Sequence, residues 1–176
     1  YKQLGGDIAY GTIVGSGLNG TVLHYIANDQ PLAAGDLMVI DSAASFGGYT
    51  SDITRTFPVS GKFTAEQREL YEVVLAAELT AIKAAKPAVT MFELDQVARR
   101  VIEKAGVGDA VSQATGHPLG LTVHDVVPDH PLKAGSLPRH SIRPRRKPRH
   151  QKFPAAIRRH PRRESGRRIL HAHRSP

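Results

Sequence analysis

Two aspartates stand in a stretch that otherwise has the composition of a pair of β-strands. The segment VIDSAASFGGYTSDITRTF is rich in β-branched and aromatic residues and has a glycine pair near its centre. We predict strands at 37–44 and 49–59, joined by a turn centred between positions 46 and 47. In that register Asp41 and Asp52 face each other directly on one side of the sheet, where two like charges repel.

A carboxylate pair of this kind has two chemical solutions. The two groups share a proton, which raises one pKa, or they bind a cation. A divalent metal ion removes the repulsion and also offsets the cost of desolvation. The alternative is that both aspartates face solvent in an ordinary hairpin, and the register alone does not decide between the two interpretations.

Three histidines lie in segments that could bring imidazole ligands to the same place. His117 lies between glycines in TGHPLG, His124 follows seven residues later, and His24 belongs to the apolar segment VLHYI. A single buried histidine is more often hydrogen-bonded in a core than bound to a metal, but three histidines beside two carboxylates favour a metal site. Oxygen and imidazole ligands without thiolate favour Mn, Co, Fe or Zn.

The elements that would position these residues are predicted from periodicity and from end signals. One helix begins at the capping box Thr64–Gln67 and ends before Pro87, and a second begins at the capping box Thr90–Glu93 and ends near Gly106. The predicted buried faces are Leu70, Tyr71, Val74, Leu75, Leu79 and Ile82 in the first helix, and Leu94, Val97, Ala98, Val101 and Ile102 in the second. Short strands are predicted within residues 11–26 and in ATGHPLGLTVHDV. This order of elements predicts an α+β domain with a mostly antiparallel sheet.

Charge is distributed unevenly along the 176 residues. From Ser136 to Pro176 there are 12 Arg and 2 Lys but a single acidic residue, Glu164, so this segment has a net charge of +13, whereas residues 1–135 have a net charge of −5. The basic segment has frequent prolines and no apolar periodicity, so it cannot bury enough apolar surface to offset the entropy of ordering. We therefore expect an acidic folded body at 1–135 and a basic, disordered tail at 136–176.

The absence of cysteine excludes disulfides, thiolate metal sites and cysteine nucleophiles. No stretch approaches the roughly 20 apolar residues that a membrane span needs, and no signal segment is recognised at the start. We expect a cytoplasmic protein without a membrane partner. The first residue, Tyr1, is consistent with a processed chain or a fragment.

Two longer segments together resemble a known family. LHYIANDQPLAAGDLMVIDSAASFGGYTSDITRTFPVSGKFTAEQRELYEVVL, followed by GHPLGLTVHDV, is similar to the Xaa-Pro aminopeptidase (aminopeptidase P) and prolidase group of metallopeptidase family M24. The likeness covers most of residues 10–135 and includes two aspartates separated by ten residues, the phrase DITRTFPV, and a Gly-His followed seven residues later by His-Asp. It implies the pita-bread (methionine aminopeptidase/creatinase-like) fold, here incomplete, with an antiparallel sheet and helices on one face.

The resemblance also implies a site and a reaction. It makes Asp41, Asp52 and His117 ligands of two divalent metal ions, with Mn²⁺ expected first and Co²⁺, Zn²⁺ or Fe²⁺ as alternatives. His24 and His124 become catalytic, substrate-facing histidines. The implied reaction is metal-dependent hydrolysis of the peptide bond before proline in an X-Pro peptide, with an aminopeptidase preferred and a prolidase-type dipeptidase as the alternative. It also allows a homo-oligomer in intact relatives.

The chain departs from the family pattern after residue 135. The family completes its site with two glutamates in later strands, whereas the only acidic residue here is Glu164 in RRESG. Three protein ligands are too few for two divalent ions, so we expect activity to be impaired in this chain.

The tail has two explanations. A frameshift near codon 136 would account for its Arg, Pro, His and Ser composition and for the missing strands, and this hypothesis is preferred. The alternative is a non-enzymatic binding module whose basic arm binds nucleic acid in a salt-dependent way, although Phe153 is the arm's only aromatic residue.

Overall fold

The computed structural model describes residues 1–111, 113–126 and 130–133, and the backbone of 138–140. Its strands are β1 (Asp7–Ile8), β2 (Ile13–Ser16), β3 (Leu37–Ser42), β4 (Ala44–Phe46), β5 (Tyr49–Thr50), β6 (Ile53–Pro58), β7 (Gly116–Pro118) and β8 (Pro138–His140). Its α-helices are α1 (Ala65–Ala84) and α2 (Met91–Lys104). Short 3₁₀ turns lie at Lys2–Leu4, Asn19–Thr21 and Gly108–Ala110.

The hairpin that carries the two aspartates has a register two residues away from the predicted one. Asp41 pairs with Thr54, and Phe46 pairs with Tyr49 across the loop. The loop is therefore Gly47–Gly48, and both of these glycines have positive φ, as a tight two-residue hairpin turn requires. The prediction that Asp41 and Asp52 are direct partners was wrong. A shift of two residues preserves the face, so the two side chains become diagonal neighbours.

Each predicted long strand is divided into two shorter ones. β2, β3 and β6 form one antiparallel sheet in that order, and β1, β4 and β5 form a second sheet. Between them, Ser51 bonds to Ala44 through backbone and side chain, with Ser51 N donating to Ala44 O at 2.9 Å. Asp52 therefore lies where pairing passes from one sheet to the other, a position at which a side chain can be re-aimed.

The outer edge of β2 is covered by a side chain. Asn28 has a positive φ, its Oδ1 accepts from Val14 N at 2.7 Å, and its Nδ2 donates to Thr12 O at 2.8 Å. This pair of bonds imitates a neighbouring strand. Just before β2, Ala9 N donates to Ala43 O at 3.0 Å. Tyr10 is thereby placed beside the end of β3.

Both helices begin where their capping boxes predict. The Thr64 and Thr90 hydroxyls accept from the backbone N–H three residues on. The Gln67 and Glu93 side chains accept in turn from the backbone N–H of Thr64 and Thr90. The predicted N-termini are confirmed. The core between the helices consists of Ala77, Ala81, Ala98, Ile102 and Val107, all buried.

The predicted buried face of α1 is only partly correct. Ala77 and Ala81 are fully buried, whereas Leu75, Leu79 and Ile82 are 37%, 48% and 48% exposed. The two helices meet through small alanines, which let their backbones approach closely. A stripe predicted from large side chains missed this contact. The face of α2 is closer to expectation, with Leu94, Ala98 and Ile102 buried.

Two predicted strand regions are shorter than expected. Within residues 11–26 only Ile13–Ser16 is a strand, and in the later glycine-rich segment only Gly116–Pro118 is a strand. His24 lies in a turn with φ of 56°, and His124 lies in a bend. No helix in the described part of the chain is long and apolar enough to cross a membrane. The predicted tail at 136–176 lies outside the described residues except for the backbone of β8, which pairs with β7.

Candidate metal centre

The two aspartates converge on a tyrosine that sequence analysis missed. The Tyr10 hydroxyl lies 2.5 Å from Asp41 Oδ1 and 2.6 Å from Asp52 Oδ1. Asp41 is 4% exposed and the Asp52 side chain 3% exposed. A phenol has one hydrogen, so Tyr10 donates to one of the two carboxylates at a time. Nothing in the sequence marks Tyr10, since it lies between β1 and β2 and contacts residues 31 and 42 positions away.

The surroundings of Tyr10 disfavour its ionisation. Burial, together with the hydrogen bonds to Asp41 and Asp52 and their negative charge, raises the pKa of the Tyr10 hydroxyl far above its ordinary value. Tyr10 therefore acts as a neutral donor between two carboxylates.

His117 approaches the other oxygen of Asp52. Its Nε2 lies 3.2 Å from Asp52 Oδ2, and its Nδ1 lies 3.1 Å from the Pro118 carbonyl oxygen. When Nδ1 carries the hydrogen and donates it to that carbonyl, the Nε2 lone pair faces a carboxylate oxygen. Either a proton or a metal ion must then lie between them.

The other two histidines extend this group toward solvent. The His117 and His124 rings pack edge to face with centroids 4.2 Å apart, and the His24 and His124 centroids are 5.6 Å apart. Both His24 and His124 are exposed. The structure thus places all five predicted site residues in one neighbourhood, and it adds Tyr10 to them.

One subset of these residues is close enough to share an ion. The ligand atoms of Asp52, His117 and His124 all lie within 4.8 Å of one another. Two ligand atoms bound at about 2.0–2.2 Å to adjacent positions of one ion lie about 3.0–3.4 Å apart, and the contact between His117 and Asp52 has this spacing. A backbone carbonyl on the other imidazole nitrogen is also the usual arrangement of a histidine ligand. The donor set fits a divalent transition-metal ion.

The loop that carries His117 is anchored to α2. Asp95 Oδ1 accepts from Thr115 N at 2.9 Å and from its Oγ1 at 2.6 Å, and Oδ2 accepts from Arg99 Nε at 2.6 Å. Arg99 also donates to Gln113 O at 2.9 Å. Burial alone would raise the pKa of Asp95, but the bonds from Thr115 and Arg99 outweigh it and hold that pKa below its ordinary value. The Asp95–Arg99 contact could have been predicted from the sequence, since an acidic residue four positions before an arginine on a helix forms an ion pair with it. The bonds to Thr115 and Gln113 could not.

A second anchor holds the loop between His117 and His124. Thr50 N and Thr50 Oγ1 donate to Gly120 O at 2.9 and 3.1 Å. Asp125 Oδ2 accepts from Leu121 N at 3.1 Å. The hairpin that positions Asp52 therefore also restrains the loop of the two histidines.

Comparisons with a family model and with individual proteins place the chain in the same family. The model of metallopeptidase family M24 matches residues 1–146. The Xaa-Pro dipeptidase of Pyrococcus furiosus is 44% identical over 117 residues, covering 66% of this chain and 33% of that protein. The Xaa-Pro aminopeptidase of Escherichia coli is 40% identical over 136 residues, covering 67% of this chain and 31% of that protein.

Solved structures show the fold. The prolidase of Pyrococcus horikoshii OT3 matches with a TM-score of 0.63 at 42% identity, over 67% of this chain and 34% of that one. Aminopeptidase P of E. coli with the inhibitor Pro-Leu matches with a TM-score of 0.62 at 37% identity, over 68% and 31%. The chain spans about a third of the length of these relatives. It has part of the pita-bread fold, as predicted. Since the family model covers most of its residues, the chain belongs to metallopeptidase family M24.

Proposed function

We propose that this chain supplies the first half of the metal centre of an Xaa-Pro peptidase, which hydrolyses the peptide bond before a proline. The observation that carries the proposal is the position of the Asp52 carboxylate, between the Tyr10–Asp41 pair on one side and His117 Nε2 on the other. Its two oxygens face two different partners, as a carboxylate shared by two cations requires.

Each predicted residue has a proposed role in the complete domain. Asp41, Asp52 and His117 hold two divalent ions, with Mn²⁺ as the first choice and Co²⁺, Zn²⁺ or Fe²⁺ as alternatives. Such ions supply an activated water and polarise the scissile carbonyl. His24 and His124 are exposed at the solvent side of the centre, where an imidazole N–H can donate to a substrate carbonyl.

The relatives support the substrate class but not the choice within it. One is named a dipeptidase and another an aminopeptidase, at 44% and 40% identity. We prefer the aminopeptidase and keep the prolidase-type dipeptidase as the alternative. For the 176-residue chain we expect slow hydrolysis, because only Glu164 offers a carboxylate after residue 135. A cytoplasmic location and a homo-oligomer of the complete protein stay predictions.

The experiment compares a dipeptide Xaa-Pro with a tripeptide Xaa-Pro-Xaa in the presence of Mn²⁺, with liberated amino acid as the readout. Faster release from the tripeptide supports the aminopeptidase, and release only from the dipeptide supports the prolidase type. The variant Asp52→Asn should abolish either activity. The matched control Asp109→Asn alters an exposed aspartate and should leave the rate unchanged. If wild type and Asp52→Asn release the same amount from both peptides, the peptidase proposal is wrong.

A non-enzymatic nucleic-acid-binding module is the second candidate, favoured by the +13 net charge of residues 136–176. Phosphate neutralisation predicts a steep loss of affinity for a labelled DNA duplex between 50 and 200 mM salt, on the order of 10³-fold or more. Fluorescence anisotropy over this salt range measures it. A salt-independent signal, or no binding at 50 mM salt, would rule out this candidate.

A further inference from the structure

We propose that one exposed face of α1 binds the same face of a second copy of this chain, so that the two helices form an antiparallel pair. This face, the α1 stripe, consists of Leu75, Leu79 and Ile82. The proposal depends neither on the metal centre nor on the peptidase reaction. The family resemblance allows an oligomer in intact relatives, and the α1 stripe gives the contact surface and the symmetry of a dimer of this chain.

The α1 stripe has the spacing of a helix–helix contact. Its members are four and three residues apart, which is the alternation of the two apolar positions in a coiled-coil heptad. At about 100° per residue, the three side chains leave the helix within an arc of about 60° and extend over about two turns. The sequence pattern that predicted a buried face is therefore present, but α2 does not cover this part of it.

The contact with α2 uses the opposite side of the helix. Ala77 and Ala81 are fully buried, and each points about 160° away from Leu79. Leu75, Leu79 and Ile82 remain 37%, 48% and 48% exposed. Because these three side chains are aligned on one face, they form a patch rather than scattered surface residues, and such patches mark contact sites.

Charges at the two ends of the stripe determine which partner fits. The next heptad positions carry Glu72 on the N-terminal side and Lys86 two residues past the end of α1, and both are exposed. Each lies seven residues from Leu79. When Leu79 is on the twofold axis of an antiparallel pair, Glu72 of one copy is level with Lys86 of the other. A parallel pair would instead place each of these charges beside its own copy.

Other charges on the same face favour the same arrangement. The N-terminal side carries Arg68, Glu69 and Glu72, and Arg68 already contacts Glu72 with Nη1 3.8 Å from Oε1. The C-terminal side carries Lys83 and Lys86. One side is therefore net acidic and the other is basic, so the face is complementary to itself under twofold rotation. Twofold dimers are the commonest symmetric oligomers of soluble proteins.

The contact is small, so the dimer should be weak. Three partly buried side chains from each copy give an interface below the usual size of a stable complex. We expect a dissociation constant on the order of 10–100 μM. At the low micromolar concentrations of an unfolding experiment the chain is then a monomer, and its stability does not depend on the protein concentration.

Sedimentation equilibrium of the full chain from about 1 to 500 μM measures the association. Wild type should follow a monomer–dimer equilibrium. Leu79→Glu brings two carboxylates together at the twofold axis and should weaken the dimer at least about 10-fold. The matched control Leu32→Glu changes a leucine outside α1 that is 50% exposed, and it should alter the affinity by less than about twofold. Since both leucines are exposed, both variants should fold, and circular dichroism checks this.

Exchange of charges tests the antiparallel orientation. The variant Lys83→Glu/Lys86→Glu makes both ends of the stripe acidic, and Glu69→Lys/Glu72→Lys makes both ends basic. Each variant alone should dimerise about three- to tenfold more weakly than wild type, and their equimolar mixture should associate at least as tightly as wild type. In a parallel pair the wild type already places like charges together, so neither variant would weaken it.

High salt distinguishes this contact from association through the basic segment 136–176, whose net charge is +13. At about 1 M salt, where the Debye length is about 3 Å, a dimer held by the α1 stripe persists and one held by the basic segment dissociates. Four results would overturn the proposal. These are a monomer at every concentration up to about 500 μM, dissociation at high salt, equal effects of Leu79→Glu and Leu32→Glu, and no recovery of association in the mixture of charge variants.

Discussion

Replacing Asp95 by asparagine should destabilise the chain through the anchor of the His117 loop. Asparagine keeps an acceptor for Thr115 but presents an amide N–H₂ to Arg99 Nε, where the carboxylate accepted a bond of 2.6 Å. The loss is one hydrogen bond to a charged group, about 1.5–3 kcal/mol, and the bonds from Thr115 weaken with the charge. Partial hydration of Arg99, whose side chain is 27% exposed, offsets some of this. We expect a loss of about 2 kcal/mol in the free energy of unfolding.

The matched control is Glu72→Gln. Glu72 and Arg68 on α1 have the same i,i+4 spacing in the reverse order, with the basic residue first. Their side chains are 64% and 65% exposed, and Arg68 Nη1 lies 3.8 Å from Glu72 Oε1. Such a pair contributes little, so the control should change the free energy of unfolding by less than about 0.5 kcal/mol.

Urea unfolding followed by far-ultraviolet circular dichroism measures both variants. If Asp95→Asn costs no more than Glu72→Gln, the hydrogen bonds of Asp95 do not stabilise the loop and the proposed anchor is wrong. If both variants lose about 2 kcal/mol, helical charge rather than the loop contact is responsible.

Three further predictions follow from the same structure. Because the folded-state pKa of Asp95 is lowered, its stabilisation is fully present above the ordinary aspartate pKa of about 4 and is lost as pH falls through the folded pKa. Urea midpoints between pH 6 and pH 2.5 should therefore fall more steeply for wild type than for Asp95→Asn, and parallel curves would contradict this. Tyr10→Phe should lower the free energy of unfolding of the metal-free chain by about 1–3 kcal/mol, since Asp41 and Asp52 lose their shared donor. The control Tyr25→Phe removes a surface hydrogen bond from the Tyr25 hydroxyl to Asp29 and should have little effect, and equal losses in the two variants would refute the buried-donor explanation. The frameshift hypothesis is tested by translating the nucleotides after codon 135 in the other two forward frames. One of them should yield apolar strands, with an acidic residue followed by Pro about ten residues on and another acidic residue about twenty residues later (both spacings expected from the family resemblance). If neither frame does so, the frameshift hypothesis fails.

The helix starts could be predicted because their causes are local. A capping box is complete within four residues. The hydrogen-bonding partners of Thr64 and Thr90 are therefore only three positions away in the sequence. The family resemblance was also contained in the sequence, because the aspartate and histidine spacings are properties of the chain order. The residue types alone favoured a metal site, and the assignment of particular ligands came from the family resemblance.

The arrangement of the centre was decided by contacts between distant residues. Two glycines with positive φ moved the hairpin register by two positions, which made Asp41 and Asp52 diagonal neighbours. Tyr10 lies between them because the segment before β2 bonds to Ala43 and β2 pairs with β3. A sequence pattern reports which side chains are near in the chain. The partners of a buried carboxylate are set by desolvation and hydrogen bonding across the fold, and these depend on the tertiary structure.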